Sequence, residues 1–400
     1  MLGRPGGSQS EPPVRPRILL LIKGLGLGGA ERLLVSLTEC RDRANFDYAV
    51  AYILGEQDAL APAMQRAGVP VYGLRARSSA DLRWLWRLRK LLVKGRFDLV
   101  HSHLPYAASF ARVVAATIAA RRRPVLVYTE HSLWNRAAVL TRVLNRLTVS
   151  ADRGLFVVSP AAREALPRRL RAEARVVVHG VDLSQSRPLV ERRAELRNEL
   201  VAELGLRDDD VIVLSVSNFR AEKGHDVLVD AAGRVARAGL PVRFLLVGWG
   251  PLEEQVRSAV RAGGLQGSVT LLGRRDDTLR LMAASDVFVL PSRQEGMPVA
   301  LMEALSVGLP VVATRIGGVG DIVTDHVEGL LVEVGAPDQL ADAIGALATD
   351  PALRDGLRSG ALARAGQLDI TAASRQIEAR YVELLAEQVA ERAGGHRSGG

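Results

Sequence analysis

The segment "VFVLPSRQEGMPVALMEALSVGLPVVAT", residues 287–314, has the pattern of a strand, a polar loop, a helix and a second strand. The first strand is apolar up to Pro291. The helix is predicted to begin at Pro298, since proline is favoured in a first helical turn, and to stop at Gly308, with Pro310 after it. Strands that are apolar throughout are typical of parallel sheets covered by helices on both faces.

The same unit recurs along the chain. Apolar runs, each followed by a stretch with helical periodicity, predict strands at 17–23, 48–54, 70–74, 99–103, 125–129, 154–159, 175–179, 211–217, 243–248, 269–273, 286–291, 311–314 and 329–333. The repetition predicts an α/β fold with two doubly wound, Rossmann-like domains that face each other across a cleft. Ligands of such sheets bind at the carboxyl ends of the strands, so residues that follow strands are the first candidates for a site.

The join between the domains is predicted near Pro188, where a Ser- and Pro-containing connector leads into a charged helix. The first domain is then 17–188, which is expected on the acceptor side, and the second is 189–371, which is expected to bind the nucleotide sugar. A final helix at 372–391 is expected to pack back towards the first domain. The two ends of the chain, 1–16 and 392–400, are predicted to be disordered tails.

Composition narrows the class of protein. The hydrophobic fraction of 48% and the charged fraction of 24% are those of an ordinary globular protein. Cys40 is the only cysteine, which excludes an intramolecular disulfide and fits a reducing cytoplasm. No apolar run is long enough to predict a membrane span, so a cytoplasmic protein is expected. A peripheral position at the inner face of the cell membrane is compatible with this expectation.

The charge is divided unevenly between the two halves. Residues 1–190 carry 30 Lys and Arg against 14 Asp and Glu, whereas residues 191–400 carry 23 against 30. The basic segments 81–96 and 168–171, the first with Trp84 and Trp86, suggest contact with an anionic membrane or a phosphate-bearing acceptor. The alternative is an ordinary sheet-covering helix with Leu85, Leu88 and Leu92 as its buried stripe. Aromatic residues are few and no recognition motif is present, so nucleic acid is not expected as a partner.

Three glycines near the start of the chain raise a different possibility. Gly24, Gly26 and Gly29 match the G-x-G-x-x-G fingerprint of dinucleotide-binding enzymes. The acidic residue expected about 20 residues later is missing from the end of the next strand, and the first candidate, Glu56, lies too far on. A glycine-rich turn that approaches a phosphate or sugar, or one that binds nothing, fits better than an oxidoreductase.

Two loops of the second half carry the residues expected to do chemistry. Glu295, Gly296, Met297 and Pro298 lie where the backbone N–H groups of a helix N terminus favour an anion. A carboxylate at that position suggests bonding to sugar hydroxyls, although a capping and a surface glutamate would give the same pattern. The loop with Asn218, Arg220 and Lys223 suits a diphosphate. Solvated loop charges are the alternative.

The segment "EGMPVALME", residues 295–303, resembles the E-x7-E motif of family 4 of the retaining glycosyltransferases with the GT-B fold. Shorter matches to this family occur in order along the chain: "GGAER" at 28–32, "TEHS" at 129–132, "VVSPAAREAL" at 157–166, "HGVD" at 179–182 and "VGWGP" at 247–251. The resemblance covers about 17–390, and the ordered concurrence of the motifs makes it specific.

The resemblance implies roles for individual residues. Arg220 and Lys223 would hold the diphosphate of a nucleotide-sugar donor, Glu295 would contact the hydroxyls of the transferred sugar, and Glu303 would bind the ribose. His131 would face the reacting sugar. Further donor-binding residues would be Gly28, Gly29, Asn218, Gly248, Leu272, Gly273, Arg274, Gly296, Met297 and Pro298.

The sequence departs from the family pattern at four positions. Ser217 and Asn218 stand where Gly-Arg is common, so Arg220 would replace that arginine from two residues later. Trp249 replaces a common acid and His179 a common asparagine.

Similar enzymes transfer a sugar with retention and without a placed nucleophile. Neither a metal ion nor a resident cofactor is expected, and the nucleotide-diphosphate sugar is a co-substrate. Asp208 and Asp210 precede a strand, away from the ligand edge, and His101 with His103 lacks a third ligand. The acceptor would be a saccharide, a lipid-linked sugar or a small molecule. A nucleotide-sugar epimerase, a sugar phosphorylase and a non-catalytic sugar-nucleotide-binding protein remain alternatives.

Overall fold

The computed structural model describes residues 15–394 except 27–28, 132–133 and 135–137. The predicted tails lie mostly outside this range. Residues 392–394, however, continue the last helix rather than belonging to a tail. Donor candidate Gly28 lies outside the described residues.

The first sheet is parallel throughout and has, within the described residues, the strand order β3-β2-β1-β4-β5-β6-β7. Its strands are β1 Arg17–Ile22, β2 Asp47–Leu54, β3 Val71–Ala76, β4 Leu99–His103, β5 Val125–Glu130, β6 Gly154–Val157 and β7 Ala174–Val176. Its helices are α1 Gly29–Glu39, α2 Ala61–Arg66, α3 Arg83–Gly95, α4 Pro105–Ala116, α5 Val139–Thr148, α6 Pro160–Glu164 and α7 Arg168–Arg171.

The second sheet is also parallel, with the order β10-β9-β8-β11-β12-β13 among the described residues. Its strands are β8 Val211–Val216, β9 Val242–Val247, β10 Val269–Gly273, β11 Val287–Leu290, β12 Val311–Thr314 and β13 Gly329–Val332. The remaining helices are α8 Leu183–Glu191, α9 Arg193–Leu204, α10 His225–Arg237, α11 Glu253–Ala262, α12 Thr278–Ala284, α13 Val299–Ser306, α14 Gly317–Gly320, α15 Pro337–Thr349, α16 Pro351–Ala365 and α17 Ile370–Gly394.

The continuous apolar runs form central strands that are covered on both faces. Every residue of β11 and β12 is buried. A strand with no solvated face gains hydrophobic stabilisation from each of its side chains, which is why these runs do not alternate with polar residues. The α/β prediction with two Rossmann-like sheets is confirmed, and each predicted strand overlaps a described one.

The segment that joins the two sheets differs from the prediction. Pro188 lies inside α8 and not in a connector. The side chain of Asp182 caps this helix by accepting from the backbone N–H of Ser184 at 2.9 Å, and Leu189 packs on the core of the second domain. The chain therefore leaves the first sheet before residue 183, because α8 is already a part of the second domain's packing.

The final helix, α17, returns to the first domain. Tyr381 and Leu384 are buried in the same cluster as Ile18 and Leu20 of β1, and the Tyr381 hydroxyl bonds to Nδ1 of His101 on β4 at 2.5 Å. Within the part of the chain that the structure describes, no helix combines the length and apolarity needed to cross a bilayer.

Candidate active site

A cavity of about 310 Å³ lies where the carboxyl ends of the two sheets face each other. It is open to solvent on one side, and both domains line it. Gly29, Arg32, Leu104 and His131 come from the first domain, whereas the second contributes the loops that follow β8, β9, β10 and β11. The cleft is thus at the edge where parallel sheets bind ligands.

Lys223 and Glu295 form an ion pair inside this cavity. Lys223 Nζ lies 2.7 Å from Glu295 Oε1, and the hydroxyl of Ser292 donates to the same oxygen at 2.7 Å. The side chain of Glu295 is only 8% exposed and that of Lys223 is 22% exposed. A carboxylate so shielded from water needs such partners, because an unpaired buried charge is costly.

A glycine brings the two loops together. Gly224, directly after Lys223, has φ of +67°, and a Cβ there would lie 2.1 Å from the carbonyl oxygen of Pro291. Only glycine allows this close contact at this backbone angle. The turn that carries Lys223 is therefore held against the end of β11, from which the loop with Glu295 starts.

The loop with Glu295 leads into the N terminus of α13, which the cavity exposes. The helix begins at Val299, one residue later than predicted, and Pro298 is its N-cap. Met297, Val299 and Ala300 line the cavity. The first N–H groups of a helix have no partner within it, so this wall offers donors and a positive dipole end to an anion.

Glu303 lies one turn further along α13 and faces the first domain. Its side chain is 15% exposed, and Arg32 Nη1 of α1 lies 3.8 Å from its Oε1. Burial raises the pKa of the Glu303 carboxyl above its usual range, and the nearby Arg32 guanidinium partly offsets that rise. The pair joins the two domains across the cleft.

Four histidines of the first domain form a contiguous cluster that ends at the cavity. The rings of His101 and His103 are 4.3 Å apart, those of His103 and His131 are 5.2 Å apart, and those of His131 and His179 are 5.5 Å apart. Nδ1 of His103 bonds to Nε2 of His131 at 2.9 Å. Burial lowers the pKa of all four below the ordinary value, to about 4 for His179. Four imidazoles in contact therefore stay neutral.

The cavity brings together most of the predicted site residues. Those that line it are Gly29, His131, Asn218, Lys223, Gly248, Arg274, Glu295, Gly296, Met297, Pro298 and Glu303. Arg220 does not line it: its side chain is exposed, because the turn Ala221–Lys223 that follows carries Lys223 inward instead. Leu272 and Gly273 also lie off the lining. Placement in the cavity does not test the roles, which stay predictions.

The structure adds residues that the sequence did not single out. Arg275 and Thr278 line the cavity beside Arg274, and Leu104 lines it with a φ of +73° that leucine rarely adopts. Arg32 could have been found, because it lies in the quoted "GGAER" three residues after Gly29, on the first turn of α1. Nothing in the local sequence predicts the positive φ of Leu104.

The basic helix α3 has the buried stripe of a sheet-covering helix. Trp84, Leu88 and Leu92 are buried, and Leu85 is partly buried. Trp86 is 65% exposed. The face of α3 that carries its apolar residues is therefore mostly used for packing.

Two family models match the chain, one on each domain. Residues 27–185 match the model described as Glycosyltransferase Family 4, and residues 210–350 match the one described as Glycosyl transferases group 1. The first takes in most of the first sheet and the second takes in the whole second sheet.

Individual proteins are similar over most of the chain. An alpha-D-kanosaminyltransferase of Streptomyces kanamyceticus is 27% identical over 77% of this chain and 83% of that protein. The UDP-Gal:alpha-D-GlcNAc-diphosphoundecaprenol alpha-1,3-galactosyltransferase of Escherichia coli is 27% identical over 82% and 86%. The crystal structure of Anabaena HepE in complex with UDP and glucose superposes with a TM-score of 0.77, at 24% identity, over 92% of this chain and 100% of that one.

The motifs, the two facing sheets and both family models agree. The chain has the GT-B fold and belongs to family 4 of the glycosyltransferases, the group 1 glycosyltransferases.

Proposed function

We propose that this glycosyltransferase moves a hexose from a nucleotide-diphosphate sugar to a hydroxyl of a lipid-linked or other saccharide acceptor, with retention at the anomeric carbon. The observation that carries the proposal is the Lys223–Glu295 pair at the start of α13, in a cavity that both domains line. The E. coli relative that acts on a diphosphoundecaprenol-linked sugar supports the choice of acceptor class.

The charges of the second domain suit a diphosphate leaving group. Lys223 has two ammonium protons beyond the one that Glu295 accepts, and the N terminus of α13 adds backbone N–H donors. As the bond between the anomeric carbon and the diphosphate breaks, negative charge grows on the diphosphate, and fixed donors stabilise it more than they stabilise the bound substrate.

The transfer then needs no nucleophile from the protein. The acceptor oxygen forms a bond to the anomeric carbon on the face that the diphosphate leaves, and the departing diphosphate takes the acceptor proton. Glu295 bonds to hydroxyls of the sugar, and Glu303 accepts from the ribose. The step requires no metal ion or resident cofactor. A cytoplasmic location stays part of the same proposal.

A ligand screen followed by a turnover assay tests the proposal. Because a ligand that binds only the folded state raises the melting temperature, the purified protein is heated with UDP, GDP, ADP and NAD(P)H. We expect a shift with one nucleoside diphosphate and its sugars. A shift with NAD(P)H alone would favour an oxidoreductase that binds its cofactor at the glycine fingerprint.

The turnover assay separates transfer from its alternatives. Release of nucleoside diphosphate that depends on an acceptor, with an α-configured product from an α-configured donor by NMR, is the expected result. Release without an acceptor, or an epimerised sugar nucleotide, would favour an epimerase. A sugar phosphate formed from a saccharide and inorganic phosphate would favour a phosphorylase. Binding without any turnover would favour a sugar-nucleotide-binding protein.

A further inference from the structure

Helix α5 of the first domain packs with its polar side inward. Its only fully buried side chain is Asn145, whose Oδ1 accepts from Nη1 of Arg112 at 2.6 Å. Thr148 Oγ1 accepts from the same nitrogen at 3.2 Å, and Arg112 is itself fixed by a buried ion pair with Asp152 at 2.6 Å. The polar side of α5 is therefore bonded to Arg112 of α4, and Arg112 is in turn paired with Asp152, which follows α5.

The apolar side of α5 faces outward as a result. Val139 is 67% exposed, Leu140 is 77%, Val143 is 49% and Leu147 is 73%. Residues four apart lie on the same helix face, so these four form one continuous apolar strip. Soluble surfaces rarely leave such a strip uncovered unless something binds it.

Arginines flank this strip. Arg169 Nη2 donates to the carbonyl of Arg146 at 3.1 Å, which places α7 beside the last turn of α5. Arg168 and Arg169 on α7 are exposed, as is Arg146. Among the residues that the structure describes, no carboxylate lies within ion-pair distance of these three guanidinium groups, whereas the neighbouring Arg171 pairs with Glu164 at 2.8 Å.

We propose that α5 and α7 form a docking surface for an anionic lipid bilayer. An apolar helix face that is bordered by unpaired cations matches the boundary between acyl chains and anionic headgroups. A second copy of this chain fits less well, because a symmetric contact would bring the same arginines against each other. Helix α3 is not the candidate, since its stripe of Trp84, Leu88 and Leu92 is buried.

The surface extends the proposed function without depending on it. α5 follows β5 in the chain, and the residue after β5 is His131 of the cavity. If the protein docks on the membrane through α5, its first domain faces the lipid. A lipid-linked acceptor would then reach the protein on the domain that is expected to bind the acceptor. Vesicle binding needs neither donor nor acceptor, so its failure and the failure of glycosyl transfer are separate results.

Co-sedimentation of the full-length protein with vesicles tests the surface. Vesicles of phosphatidylcholine alone are compared with vesicles that also hold about 30% phosphatidylglycerol, at about 0.05 M and about 0.5 M salt. We expect binding to the anionic vesicles at low salt, with at least about a tenfold loss of partitioning at high salt, because salt screens the arginines.

Two variants separate the apolar and the charged contribution. Leu140→Gln with Leu147→Gln, and Arg146→Gln with Arg168→Gln and Arg169→Gln, should each lower partitioning at least about tenfold. All five side chains are exposed, so the fold should be kept, and the melting temperature checks this. The matched control is Val382→Gln with Val389→Gln on α17, whose valines are 57% and 66% exposed; it should bind like the wild type.

Three results would overturn the proposal. The first is equal partitioning into neutral and anionic vesicles, or into neither. The second is unchanged binding by the Leu140→Gln and Leu147→Gln variant. The third is a stable dimer in sedimentation velocity that this variant dissociates, which would assign the strip to a second copy of the chain.

Discussion

The two walls of the cleft differ in how they carry charge. The second-domain wall holds Lys223, Glu295 and Glu303, each at least partly shielded from water. The first-domain wall presents His131, backed by three buried histidines whose lowered pKa values keep them neutral. We expect a division of labour: fixed charge lies where a diphosphate would leave, and, apart from Arg32, neutral groups lie where a sugar hydroxyl would approach.

Acid should destabilise the folded protein mainly by protonating the buried histidines behind the first-domain wall. In the unfolded chain the histidines titrate near their ordinary pKa of about 6.5, whereas in the folded protein burial lowers the pKa of all four, that of His179 to about 4. Between these values the unfolded state binds more protons. Stability is therefore complete above pH about 6.5 and falls as the pH drops towards about 4, by roughly 3 kcal/mol for His179 alone.

His179→Asn provides the measurement. Urea denaturation at a series of pH values between 7 and 4 should show a shallower loss of stability in this variant than in the wild type. His326→Gln is the control, because His326 is 76% exposed and should change nothing. If His179→Asn has the same pH dependence as the wild type, folding does not lower the pKa of His179 and its burial does not account for the acid sensitivity.

The second-domain wall should carry the largest effect on catalysis. Lys223→Ala removes the cation proposed to hold the diphosphate and leaves the Glu295 carboxylate with the Ser292 hydroxyl as its hydrogen-bond donor. Glu295→Ala removes the proposed sugar contact. We expect each to cut kcat/KM at least about tenfold, corresponding to about 1.4 kcal/mol of transition-state stabilisation.

Initial rates of nucleoside diphosphate release measure this effect, and thermal unfolding shows that the variants fold. Lys94→Ala, which removes an exposed lysine of α3, is the matched control. The double variant should lose less than the product of the single losses, since the two side chains contact each other. Near-normal rates in both single variants would show that Lys223 and Glu295 are not active-site residues.

Much of the fold could be predicted because it depends on local patterns. Runs rich in Val and Leu, such as those at 125–129 and 311–314, predict central strands, since a strand buried on both faces has no solvated side. The domain join was misplaced for an equally local reason: Pro188 favours a connector on average, but capping by Asp182 and packing by Leu189 outweigh that preference.

The site was predictable where one loop holds the residues and less so where the two domains meet. Glu295 and Glu303 lie in one motif, so their neighbourhood follows from the sequence. The contact of Arg32 with Glu303 and the sequence of contacts from Tyr381 to His131 depend on how α1 and α17 pack, which no short motif encodes. The exposure of α5 depends likewise on the buried Arg112, far from it in sequence.

His103 should affect the reaction only through His131. The 2.9 Å bond to Nε2 fixes the orientation and tautomer of the His131 ring. His103→Phe keeps a ring of similar size and removes the bond, whose net value of about 1 kcal/mol sets an expected loss in kcat of about fivefold. The donor KM should stay unchanged, and the nitrogen NMR signals of His131 should move. A change in the donor KM alone would place His103 in donor binding instead.

The smallest effect is expected for Arg32, which brings a charge from the first-domain wall to Glu303. The two atoms are 3.8 Å apart and the Arg32 side chain is 37% exposed, so the pair should contribute little, about 0.5 kcal/mol. Arg32→Gln should therefore raise the donor KM about twofold and leave kcat unchanged, and the difference should vanish at high salt. Arg163→Gln, an exposed arginine on α6, is the control. A loss of tenfold or more that persists at high salt would mean that Arg32 contacts the donor phosphates directly. The charge of the cleft would then belong to both walls, and the division of labour between the two domains would be wrong.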